Sequence, residues 1–64
     1  MNLFLQIFTK IEKILYDKYP EFKEYDNIFL VNGNRINRNK TVEENNIKEK
    51  NVVMITTIDD IMNN

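Results

Sequence analysis

Ile28-Phe29-Leu30-Val31-Asn32-Gly33-Asn34-Arg35-Ile36 decides the fold: an apolar run, the strongest turn signal in the chain, and the start of a return. Asn-Gly between two apolar runs marks a tight hairpin, because the turn needs backbone angles that glycine and asparagine adopt most readily. We read strands over residues 28–32 and 35–37. Asn37 to Lys40 reads as a further turn, and Thr41-Val42-Glu43-Glu44-Asn45 as one helical turn capped by Thr41. Ile47 stands alone as an apolar anchor. The β-branched run Val52 to Ile58 predicts a long strand over residues 52–58. Alternation along these strands places Phe29, Val31, Val53 and Ile55 on a core face and Leu30, Met54 and Thr56 on the opposite one.

Working toward the N-terminus, Glu21 to Asn27 is a polar connection that carries Phe22 and Tyr25. Ahead of it, Phe4, Ile7, Phe8, Ile11, Ile14 and Leu15 recur at three- and four-residue steps, the spacing of one helix face. Two starts fit that pattern. The apolar spacing begins the helix near Leu3, whereas Thr9-Lys10-Ile11-Glu12 fits a capping box that would begin it at Thr9. Pro20 ends it either way, since proline lacks the amide donor and pushes Tyr19 out of the helical region. Beyond the last strand, Asp59 to Asn64 reads as a frayed end.

The order of elements is shared with a known family. The stretch IFLVNGNRINRNKTVEENNIKEKNVVMI, residues 28–55, resembles the later half of the ubiquitin-like β-grasp family without a gap. Gly33, Thr41, Asn46 and Ile47 stand as identities, the last three within the family's T-[LV]-x-[DE]-x-N-I segment. Phe29, Ile36, Val42, Val53 and Ile55 stand as apolar equivalents. The resemblance implies an α+β fold, and the chain departs from it at the start. A complete β-grasp opens with a two-stranded hairpin, for which the eight residues ahead of Thr9 are too few. The expectation is therefore a ubiquitin-like β-grasp domain over residues 1–64, with one long N-terminal helix over residues 3–18 packed on a reduced mixed or antiparallel sheet. Ile36, Val42 and Ile47 would close one end of its core. A small sheet with open edges tends to pair with another chain, so a homo-oligomer or a partner-supplied strand is expected. Phe4, Ile7, Phe8 and Ile11 of the helix are the candidate oligomer contact.

The resemblance also carries a functional expectation. The family's apolar sheet patch, recognised by helices of ubiquitin-binding proteins, would correspond to Leu30, Met54 and Thr56, with Arg35 and Lys40 as a basic rim. The family's terminal Gly-Gly has no counterpart in Ile61-Met62-Asn63-Asn64, and Asn34 and Glu49 stand where it has its two most used chain-linking lysines. An unconjugated protein-binding module is the expected function, and a self-associating structural subunit is the alternative.

Composition argues the same way. Sixty-four residues hold one domain at most. With neither histidine nor cysteine, the commonest zinc ligands, disulfides and most catalytic nucleophiles and bases are missing. No cofactor, no metal and no catalytic activity are expected. Glu43-Glu44 and Asp59-Asp60 read as solvated charge. Nine basic and ten acidic residues give a formal charge of -1, which lacks the excess that a nucleic-acid backbone would demand. MNLFLQIF is too short to span a bilayer and lacks the basic leader and cleavage site of a signal peptide, so no membrane association and a cytoplasmic location are expected.

Overall fold

A computed structural model describes residues 2–62 and shows a small α+β domain built on a three-stranded antiparallel sheet. Strand β1 (Asn27–Val31) turns through Asn32-Gly33 into β2 (Asn34–Arg35), and β3 (Val53–Thr57) lies on the other side of β1. Asn32 at φ 51° and Gly33 at φ 79° give both central turn residues left-handed backbone, the geometry that matches strand twist in a two-residue hairpin. The return strand is shorter than the expected 35–37. The pairing nevertheless runs one residue further, since the Ile36 amide donates to the Phe29 carbonyl at 2.8 Å. Strand β3 pairs antiparallel with all of β1, from Asn27 opposite Thr57 to Val31 opposite Val53.

The expected helix over residues 3–18 is corrected at its start. Helix α1 spans Phe8–Lys18, while Leu3–Leu5 forms a 3-10 turn capped by the Asn2 side chain. Gln6 and Ile7 between them are extended, at ψ 138° and 140°. The cause is tertiary. Residues 4–9 lie along residues 38–43: Glu43 and Val42 amides donate to Phe4 and Gln6 carbonyls at 2.9 and 3.0 Å, and Ile7 bridges Thr41. The Phe8 amide then donates to Lys40 at 2.9 Å and the Thr9 amide to Arg38 at 3.2 Å. Loop carbonyls thus satisfy amides of the first helical turn, which lack partners inside the helix. The Thr9–Glu12 capping box does not form, because Ile7 is the cap residue and makes no side-chain bond.

A capping box does form at Thr41. Its hydroxyl accepts from the Glu44 amide at 3.0 Å, and its amide donates to Glu44 Oε1 at 3.0 Å. That turn seats Val42 and Ile47 against the core of Phe8, Phe29, Val31, Ile36 and Val42. The Phe8 and Phe29 rings meet edge to face at 5.1 Å. Pro20 opens a second 3-10 turn, Pro20–Glu24, just after α1 ends at the expected place. The expected frayed end is instead helix α2 (Ile58–Met62), started by Thr57, whose hydroxyl accepts from the Asp60 amide at 3.2 Å. Residues 63 and 64 of that expectation lie outside the described residues.

Candidate interaction surfaces

The sheet has a core face and an outer face, and the register assembles the outer one. Arg35 of β2 and Met54 of β3 both lie opposite Leu30 of β1, so Arg35, Leu30 and Met54 form one row across all three strands. Ile28 and Thr56 form the neighbouring row. Met54 is 62 % exposed, while Leu30 and Thr56 are half-buried. Ile28, in the same row as Thr56, is buried. Exposure on this face is therefore concentrated on Met54 and Arg35. Lys40 is not on the sheet. It closes the turn at Asn37 to Lys40 and shares with Arg35 a surface cleft of about 270 Å3, which also takes in Glu44 and Asn45.

The four candidate oligomer contacts separate. Phe8 is 3 % exposed and belongs to the core, and Ile11 is half-buried against it, so neither is a free contact surface. Phe4 and Ile7 are exposed, on the 3-10 turn and the extended linker rather than on a helix. The stripe assumed one unbroken helix. The break before Phe8 turns its residues in different directions.

A third surface lies between α1 and β3. Phe8, Ile11, Glu12 and Leu15 on one side and Val53 and Ile55 on the other, floored by Phe29, enclose a largely apolar cleft of about 200 Å3. Beside it runs the free edge of β3. The bond from Ile36 to Phe29 shows that Phe29 turns its backbone polar groups toward β2, so Ile28 and Leu30 turn theirs toward β3. Met54 and Thr56, their partners, face β1. Val53, Ile55 and Thr57 accordingly aim their amides and carbonyls outward, where no described strand meets them.

On the same core face, toward β2, lies a polar network that the sequence reading missed. Glu12 of α1 accepts from Arg38 Nε at 2.8 Å and from the Tyr16 hydroxyl at 2.6 Å. Tyr16 in turn accepts from Asn27 Nδ2 at 3.0 Å, which also donates to the Phe22 carbonyl at 2.6 Å. Arg38 donates to the Asn27 carbonyl and lies over the Phe29 ring at 5.4 Å. Asn27 itself is 4 % exposed. Part-burial, followed by the hydrogen bond to Glu12, raises the Tyr16 hydroxyl above its ordinary pKa. Glu12 and Arg38 are 26 positions apart, and nothing local in either neighbourhood signals the pairing.

Among the described residues no three acidic side chains gather as a metal-holding group, and no helix is long and apolar enough to cross a membrane. Compared with protein-family models, with curated proteins and with solved structures, the chain matches none of them.

Proposed function

We propose that this protein is a non-catalytic, ubiquitin-like interaction module that receives a partner helix on the Arg35–Leu30–Met54 row. The observation that carries the reading is the row itself: an exposed methionine and a leucine side by side across two strands, with a guanidinium at the β2 end. A flexible thioether beside an aliphatic side chain fits the apolar face of an amphipathic helix, and the arginine suits an acidic residue beside it. The ubiquitin-like part of the proposal is supported by the sequence of elements: helix, strand, glycine turn, short strand, Thr41-capped turn, Ile47 anchor and last strand.

Titration of isotope-labelled protein with helices from ubiquitin-binding proteins tests the proposal. Amide shifts centred on Leu30 and Met54 are expected. Met54→Ala, at a mostly exposed position, should keep the fold and weaken binding about tenfold, or roughly 1.4 kcal/mol. Wild-type protein that shifts with none of the helices overturns it.

A further inference from the structure

We infer that the free edge of β3 pairs antiparallel with the same edge of a second copy, joining two three-stranded sheets into one of six strands. This surface is distinct from the outer-face row and independent of the helix-binding proposal.

An unpaired strand edge is a template for another strand, and folded proteins usually blunt it with lysine, proline or an inward charge. β3 has none of these. From Asn51 to Ile58 the chain carries no charged residue and no proline. Val53, Ile55 and Thr57 point their backbone donors and acceptors outward, and a strand laid antiparallel with Ile55 opposite Ile55 satisfies all three at once. Val53 then meets Thr57 of the second copy, and Thr57 meets Val53.

Charge selects the second copy and the direction together. Lys48 and Lys50, with Glu49 between them, precede β3, whereas Asp59 and Asp60 follow it. An antiparallel pair sets the basic end of each strand beside the acidic end of the other. A parallel pair would set lysines beside lysines and aspartates beside aspartates.

The faces agree as well. The two-fold axis of such a pair stands perpendicular to the sheet, so both core faces lie on one side. The two clefts between α1 and β3, each about 200 Å3, open toward one another, with the two Ile55 side chains adjacent at the centre. Half-buried Val53 and Ile55 gain apolar neighbours in the process.

Sedimentation velocity on the full chain across a concentration series tests this, with circular dichroism confirming the fold of each variant. The wild type is expected to sediment as a dimer. Lys50→Asp should raise the dissociation constant roughly fivefold by bringing like charges together at both ends of the strand pair. Adding Asp60→Lys to it should restore wild-type association. Both side chains are exposed, and Lys50 sits at φ 70°, which aspartate tolerates better than lysine, so neither change threatens the fold. Ile55→Pro, which removes an outward amide without touching the ladder to β1, should give a folded monomer. If that variant fails to fold, the charge-reversal pair decides alone. A wild type that stays monomeric throughout, or a dimer indifferent to both charge changes, overturns the inference. The helix titration reads a different face, so either idea can fail without the other.

Discussion

The two sides of β1 are held in opposite ways. Toward β2, Arg38, Glu12, Tyr16 and Asn27 tie α1, the Pro20–Glu24 turn, β1 and the loop after β2 into one hydrogen-bonded unit, and Phe8, Phe29, Val31, Ile36 and Val42 are buried beside it. Toward β3 no side-chain bond joins the strand to α1 among the described residues. Val53 and Ile55 rest half-buried on a cleft that α1 leaves open. The difference shows how a domain of this size divides its work: one side supplies the stability, and the other keeps apolar surface and backbone groups available.

Large-to-small substitutions should expose the contrast most strongly. Phe29→Ala removes a 3 % exposed ring from contact with Phe8 and Arg38, and should cost about 3 to 5 kcal/mol. Because the whole stability of a small domain is on the order of 5 kcal/mol, the variant should be largely unfolded at room temperature. Ile55→Ala, on the open side, should cost about 1 to 2 kcal/mol and leave a folded chain. Urea denaturation followed by circular dichroism compares them. Equal losses would mean that β3 is as tightly packed as the core, contrary to its exposure.

Next in size is the polar network. Arg38→Met leaves the Glu12 carboxylate, whose side chain is 14 % exposed, without its cation, and should cost about 2 to 3 kcal/mol. Glu12→Leu in the same chain should recover about half, since a part-buried ion pair destabilises more when half-broken than when replaced whole. If the single variant is neutral, the Arg38 contacts contribute nothing to stability and the two sides of β1 are held alike.

The same network should give the closed side a dependence on alkaline pH. Tyr16 is held above its ordinary value of 10.0, so its neutral form is favoured by folding. In the unfolded chain it ionises first. Stability is therefore full below 10.0 and falls as pH rises above it. The urea midpoint of the wild type should drop more steeply there than that of Tyr16→Phe, and parallel curves would remove Tyr16 as the cause.

What could be read from the sequence follows the range of the interactions. The β1–β2 turn, the strand alternation and the Thr41 turn were legible because each is fixed within a few residues: Asn32-Gly33 sets its own backbone angles, and Thr41 and Glu44 bond each other. The start of α1 was not. Leu3 to Ile7 carries helical spacing, but its backbone is bound by residues 38–43, and that constraint leaves no trace in the local pattern. Treating Phe8 as a contact residue followed from the same error, because the extended linker rotates it into the core. The Glu12–Arg38 pair was hidden by its separation in the chain. The free edge of β3 needed the register and one hydrogen bond before its outward residues could be named.

The smallest expected effect belongs to the capped turn that seats Val42 and Ile47 on the closed side. Thr41→Ala removes the acceptor for the Glu44 amide and should cost about 1 kcal/mol, as losing a cap usually does. The turn should also respond to acid. The Thr41 amide and hydroxyl hold the Glu44 carboxylate below its ordinary value of 4.5, so its contribution is present above that pH and is lost as pH falls through the lower, folded-state value. Glu44 is fully exposed, which keeps the contribution small and screened by salt. A wild-type advantage over Glu44→Gln that is full above the ordinary value of 4.5 and shrinks as the pH is lowered below it is the expected result. An advantage that persists in acid would show that the Thr41 amide holds the carboxyl group equally well when it is neutral, so that geometry rather than charge fixes the turn.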